Sequence, residues 1–153
     1  RIHRVGQRIA KNNDPREAVI AAADWVRNEL EYVPGTTGVH SSGLDALREG
    51  KGVCQDFAHL SLNMLRSRGT PTRYVSGYLL SDDDAHLASH AWVEACLDGK
   101  WYVFDTTNQL FQPSHHVQLA VGLDYNDAAP VRGMRQGGGT EQMSFSVQVQ
   151  QAQ

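Results

Sequence analysis

Cys54, His90 and Asp105 are the residues of this chain whose types and order could do nucleophilic chemistry. In such a set a thiolate attacks a carbonyl carbon, an imidazole moves the proton, and a carboxylate orients the imidazole and stabilises its charge. Cys54 stands in "GKGVCQDFAHLSLNMLRSRG", where two glycines precede a long apolar helical pattern. A helix N-terminus favours a thiolate through its free N–H groups and dipole. Gly52 would let a substrate approach the backbone closely. Taken alone, Cys54 still reads more readily as core filler, because free cysteine packs as a small hydrophobe.

A nucleophile needs a base. The seven histidines are His3, His40, His59, His86, His90, His115 and His116. His59 lies five residues after Cys54 on the same helix, about 140° round its axis, and is set aside. His90 is the better candidate because the hairpin around it fixes a register. Asp98-Gly99 reads as a two-residue turn. Leu97 then faces Lys100, Cys96 faces Trp101, Glu94 faces Val103, Trp92 faces Asp105, and His90 faces Thr107. His90 and Asp105 become diagonal neighbours on one sheet face, about 7–8 Å apart at the backbone and within side-chain reach. A three-residue loop would put them on opposite faces. The competing reading is a surface hairpin that happens to carry an exposed His and Asp.

The elements that must position these residues are legible. Asp14 suits an N-cap, Pro15 the first helical position, and Glu17 a capping box. Val19, Ala23, Val26 and Leu30 then mark one apolar face, and Pro34-Gly35 ends the segment. The loop "GTTGVHSS" leads to a short helix from about Gly43 to Glu49, capped by Ser41 or Ser42. The Cys54 helix runs to about Arg68, with Phe57, Leu60 and Met64 along one side and Ala58, Leu62 and Leu65 beside them, so it is expected to be central. Gly69 suits its C-terminal cap and Pro71 bars continuation. "TRYVSGYLL", "HAWVEACL" and "KWYVFDTTN" read as strands, and "MSFSVQVQ" as a final strand after a turn at "QGGGT". Helices followed by an antiparallel sheet predict an α+β fold in a single domain over residues 1–153.

Composition narrows the function. The 153 residues are 41% hydrophobic and 20% charged, which fits one globular domain with a real core. A net charge of -3 gives no footprint for nucleic acid or an anionic membrane. There is no 18-residue apolar run. Two cysteines make neither a disulfide scaffold nor a C-x-x-C zinc pair, so free thiols and a cytoplasmic location are expected. The first residue is Arg rather than Met, which reads as a fragment or a processed form.

"GVCQDFAHL…LRSRGTPTRYVSGYL", "SHAWVEACLDGKWYVFDTTN" and "VGLDYNDAAPVRG" together resemble the bacterial transglutaminase-like proteins of the papain-like transglutaminase-core superfamily. The resemblance covers roughly residues 15 to 135. Its blocks agree in order: Cys, then His heading a strand in "HAW", then Asp in "FDTTN". The family's usual Asp-Pro-Thr is here Asp105-Thr106-Thr107. The resemblance implies a papain/transglutaminase-like fold, a Cys54-His90-Asp105 triad, and acyl transfer from a peptide or carboxamide through a Cys54 thioester. It implies a protein or peptide substrate, no cofactor and no metal. It also suggests an N-terminal β-rich region in the longer chain. The Cys54 N–H is the expected oxyanion donor. Animal transglutaminases add an upstream aromatic; Tyr32, His40 and Gln55 are weaker candidates for that second donor, and Trp25 reads as core.

The remaining features carry less. Asp56 complements the helix dipole, or else pairs with Arg73. Trp92 could wall a substrate cleft but reads more readily as core. Adjacent His115 and His116 point in different directions with no carboxylate pattern behind them, which argues against a metal site. Asp82-Asp83-Asp84 lacks calcium-loop spacing and reads as a solvated loop near the site entrance. Cys96 reads as a structural thiol. Hydrolysis and transamidation both remain open, with a lean to hydrolysis because small bacterial versions of the resembled family lack the additional domains of animal transglutaminases. The competing class is a catalytically silent binding or scaffold module, which the intact trio disfavours. A metal hydrolase needs ligands that the sequence does not offer.

Overall fold

A computed structural model describes residues 14–38, 41–80, 89–131, 133, 136–140, 142, 144 and 146–149. The expected acidic loop and His40 lie outside the described residues. Among the described residues, three helices precede most of the strands: α1 (Pro15–Glu29), α2 (Gly43–Glu49) and α3 (Cys54–Arg66). The strands are β1 (Glu31–Tyr32), β2 (Lys51–Gly52), β3 (Thr72–Leu79), β4 (His90–Leu97), β5 (Lys100–Asp105), β6 (Leu110–Phe111) and β7 (His116–Gly122). Five of them form an antiparallel sheet in the order β6-β5-β4-β3-β7. This is the expected α+β, papain/transglutaminase-like architecture.

Local chemistry accounts for the helix ends. Asp14 accepts the N–H of Arg16 at 2.8 Å, with Pro15 at the first turn. Ser42 caps α2 in a reciprocal box with Asp45. Gly50 closes α2 in the left-handed conformation at φ 70°, which an L side chain adopts only with strain. α3 ends at Arg66, two residues short of expectation, because Ser67 already caps it and Gly69 turns the chain out at φ 81°.

α3 is the axle of the core. Phe57, Ala58, Leu60, Leu62, Met64 and Leu65 are all buried. They pack with Val19, Ala22 and Val26 of α1 and with Ala91, Val93, Ala95 and Leu97 on one face of β4. Gln55, His59, Asn63 and Arg66 form the polar stripe of α3, and the apolar residues on either side of it are buried.

The β4–β5 hairpin has the register read from the sequence. Leu97 pairs with Lys100, Cys96 with Trp101, Glu94 with Val103 and Val93 with Phe104. Asp98 at φ 51° and Gly99 at φ 77° form the two-residue turn with both centres left-handed. Four strands were missed: the two-residue β1, β2 and β6, and the seven-residue β7. Short bridges carry too little sequence to signal themselves. β7 alternates in reverse of the usual sense, with Val117, Leu119 and Val121 exposed. The expected final strand is corrected: its described residues, 144 and 146–149, lie outside any strand. Alternation makes a segment competent for a sheet, but a strand forms only where an edge pairs with it.

β7 packs closely on β3, with a register shift between Ser76 and Gly77. A Cβ at Gly77 would overlap the Val117 carbonyl and come within 2.7 Å of Trp92. Gly77→Ala is therefore expected to destabilise the protein by about 3 kcal/mol through overpacking against backbone. Denaturant unfolding checks this; an unchanged midpoint would contradict the close approach.

Candidate active site

Cys54, the candidate nucleophile, opens α3 directly after the short β2 bridge. β1 pairs in parallel with β2, setting Tyr32 opposite Gly52. The ladder extends through Glu31 N–H to Gly50 O at 2.9 Å and Val33 N–H to Gly52 O at 3.0 Å. Asp56 then fixes the start of α3. Its buried carboxylate accepts the N–H of Val53 at 2.9 Å and the hydroxyl of Thr37. Two readings are corrected here. Asp56 does not hold Arg73, which instead pairs with Glu94 across β3 and β4 at 2.6 Å. The space above Gly52 is taken by Asp56, since a Cβ there would sit 2.9 Å from it. Gly52 thus serves the cap rather than substrate access.

His90 opens β4 and Asp105 closes β5. His90 Nε2 lies 2.7 Å from Asp105 Oδ2, with the two side chains 11% and 0% exposed. The diagonal pairing drawn from the turn is thus present as a hydrogen bond. Cys54 stands close enough to the His90 ring for its charge to act on it. Burial disfavours the His90 cation, but the hydrogen bond to Asp105 and the negative charges of Asp105 and Cys54 outweigh it, and its pKa is raised to about 9. Burial likewise opposes the Asp105 charge. Hydrogen bonds from His116 and His90, the His90 charge, and Asn108 overcome that and hold the carboxyl well below its usual range.

The turn after Asp105 is built to keep the carboxylate in place. Asn108 donates its backbone N–H to Oδ1 at 3.1 Å and its side-chain amide to Oδ2 at 2.8 Å. The Thr106 hydroxyl, where the resembled family has proline, is buried against Ser61 Oγ at 2.7 Å. Ser61 belongs to α3, so the helix that carries Cys54 also anchors the Asp105 turn. Arg27 of α1 donates to the Thr107 carbonyl at 2.9 Å.

Asn108 and His116 were missed. An Asn three residues after an Asp is a turn signature and could have flagged the first. The sequence reading of His116 is corrected: a carboxylate does stand behind it, since its Nε2 lies 2.7 Å from Asp105 Oδ2. The strand that brings it there, β7, was among those not recognised. Among the described residues, the facing atoms of His90, Asp105 and His116 lie within 4.8 Å of one another, close enough to consider an ion. The two 2.7 Å separations are hydrogen-bond lengths, shorter than the edge of roughly 3.3 Å that a tetrahedral site with ~2.0 Å bonds requires. The group is built as a hydrogen-bonded cluster.

The other candidates fall as follows. Tyr32 is 45% exposed on β1, opposite Gly52, and burial and then the charge of Cys54 raise its pKa. Trp92 is 2% exposed and packs on His116, so it walls no open cleft. Gln55 lines a cavity of about 430 Å³ with His59, Asn63, Arg66 and Tyr125, a cavity that Cys54 and His90 do not line. His59 accepts the Tyr125 N–H at 3.1 Å, and burial lowers its pKa, as befits a neutral structural imidazole. Trp25 packs against the core as expected.

The family model described as "Transglutaminase-like superfamily" matches residues 3–106. An uncharacterized protein of Mycobacterium leprae is 50% identical over 97% of this chain and 55% of its own length. This chain thus spans about half of that relative. A protein of Cytophaga hutchinsonii, proposed to be a cysteine protease, is 38% identical, with a TM-score of 0.66 over 73% of this chain and 38% of its own. Legionella pneumophila LapG shares the fold at 14% identity, with a TM-score of 0.61 over 78% of this chain and 70% of its own. No helix among the described residues is long and apolar enough to cross a membrane.

Proposed function

This chain belongs to the transglutaminase-like superfamily, and from that premise we propose that it is a cysteine-dependent acyl-transfer enzyme acting on peptide or carboxamide bonds. The observation that carries this reading is the hydrogen bond between His90 and the buried Asp105 carboxylate, with Cys54 close enough to act on the His90 charge. With His90 Nε2 engaged by Asp105, Nδ1 is the ring nitrogen left for the thiol. A thiolate–imidazolium pair is the form such an arrangement favours.

The steps follow from that pair. The Cys54 thiolate attacks the carbonyl carbon, and negative charge develops on its oxygen. The Cys54 N–H, first of α3 and without a carbonyl four residues back in the helix, donates to that oxygen. The tetrahedral species collapses as the C–N bond breaks, and His90 gives its proton to the departing amine. His90 then takes a proton from water as the oxygen attacks the thioester, releasing the acid and restoring the thiolate. An amine in place of water would give transamidation. The likeness to the Cytophaga protein supports hydrolysis as the favoured course.

Tyr32 fits the role of second oxyanion donor, because β1 holds it opposite Gly52, two residues ahead of Cys54. Tyr32→Phe is expected to slow acylation by about 10²-fold with the fold intact. Burst kinetics on an activated ester check this, and an undiminished burst sinks the assignment.

The function is tested with a Gln-containing peptide library and a labelled amine. Cleaved or deamidated peptides that disappear in Cys54→Ala support hydrolysis. Amine incorporation identifies a transferase. A protein that does neither, and whose Cys54 alkylates no faster than a free thiol, fits the silent scaffold module instead.

A further inference from the structure

His116 is used by none of the steps above, yet it touches their machinery. Its side chain is 3% exposed, and its Nε2 lies 2.7 Å from the same Asp105 Oδ2 that His90 Nε2 meets at 2.7 Å. Its other nitrogen, Nδ1, is buried without a hydrogen-bond partner among the described residues. A neutral imidazole has one donor and one acceptor nitrogen. A proton on Nδ1 would bury an unmet donor and set the Nε2 lone pair against a carboxylate oxygen. The proton therefore sits on Nε2, and His116 donates to Asp105. Trp92 holds the ring edge-to-face at 4.9 Å and 85°.

Three donors thus converge on one oxygen: His90 from β4, His116 from β7, and Asn108 from the turn. They arrive from different elements, so together they fix the direction of the carboxylate as well as its charge. We infer that His116 is a positioning residue of the proposed acyl transfer, pinning the Asp105 carboxylate against His90 by donating its Nε2–H to Oδ2. The inference rests on the reading of Cys54 and His90 as the working pair.

Without His116 the carboxylate keeps Asn108 and His90 alone, and one side of a buried anion is left unmet. Asp105 then turns more freely, and the His90 imidazolium loses support. The titratable groups that face His90 are Cys54 from α3, Asp105 from β5 and His116 from β7. His116 itself faces Asp105 and His90, with His115 beside it at 6.3 Å between ring centres. With Nδ1 buried and unpartnered among the described residues, His116 meets the cluster through Nε2 alone.

The test is the rate of Cys54 alkylation by iodoacetamide from pH 5 to 10, with histidine titrations followed by NMR. Phenylalanine keeps the ring volume without the donor, and glutamine restores an N–H near the Nε2 position. In His116→Phe, alkylation at pH 6.5 is expected to slow about fivefold and the His90 midpoint to fall by about one unit. His116→Gln is expected to stay within about twofold of wild type. A His116→Phe protein with wild-type rate and an unmoved His90 midpoint overturns the inference, as does a Gln variant no better than Phe. In the wild-type protein, which needs no variant to fold, ¹⁵N shifts should report His116 as the Nε2–H tautomer; the Nδ1–H tautomer overturns the inference outright. If wild-type Cys54 is itself unaccelerated, the enzyme reading falls and this inference with it. An accelerated Cys54 indifferent to His116 sinks the inference alone.

Discussion

His90→Ala is expected to slow alkylation of Cys54 at pH 6.5 by about thirtyfold, and to lower acyl-transfer turnover by at least about 10³-fold. The argument begins with the raised pKa of His90, about 9. At pH 6.5 the ring in the hydrogen-bonded pair holds a proton, and that cation stands next to the thiol. An ordinary cysteine is only about 1% thiolate at that pH, so an imidazolium partner has up to a hundredfold to add. Part of this is lost because a stabilised thiolate is intrinsically less nucleophilic. Turnover suffers more than alkylation because iodoacetamide needs no proton for its leaving group, whereas an amine does. Cys96, half-exposed and without such a partner among the described residues, serves as the internal control. If Cys54 and Cys96 react alike in the wild-type protein, the activated pair does not exist.

Asp105→Ala is expected to cost about 3 kcal/mol of stability besides most of the activity, because it strands a buried partner set. Its carboxylate accepts from His90, His116 and from Asn108 twice, and its side chain is fully buried. The sign with pH follows from the depressed pKa. The unfolded carboxyl titrates near 3.8, and the folded one lies well below it. Asp105 therefore contributes stability that is fully present above 3.8 and is lost as pH falls toward the folded value. Wild-type unfolding followed in urea from pH 6 to 3 should lose stability below about 4, and Asp105→Ala should lose less over the same interval. Equal acid slopes in the two proteins would show that the carboxylate is not preferentially ionised in the fold.

The two central links differed in how far sequence could reach them. The His90–Asp105 pairing was legible because a two-residue Asp-Gly turn fixes register by counting, and side chains alternate with a period of two. The Cys54 helix was legible from its broad apolar surface, Phe57, Leu60 and Met64 with Ala58, Leu62 and Leu65 beside them. His116 was not legible, because its contact with Asp105 is made across the sheet: β7 pairs with β3 on the far side of β4 from β5, and no short-range rule carries a register through that order. The role of Asp56 was half visible. Its place in the first helical turn announced a cap, but its choice of Val53 and Thr37 over Arg73 depended on Glu94, which lies opposite Arg73 across the β3–β4 ladder. Gly52 was misread for the same reason, since what fills the space above a glycine is decided by the neighbour that arrives there.

Asp105 does two jobs with two oxygens. Oδ2 meets the imidazoles, while Oδ1 accepts the Asn108 backbone N–H and shapes the turn. An asparagine at this position would keep the second job, since its amide oxygen can still receive that N–H. It would give up the first, because an amide carries no charge to hold an imidazolium and offers His90 and His116 a donor where both now donate. Chemistry and architecture are therefore separable at one residue. A lineage could exchange catalysis for a silent binding role in a single acid-to-amide step and retain the loop that closes β5, which makes position 105 the informative one to read when sorting active relatives from inactive ones.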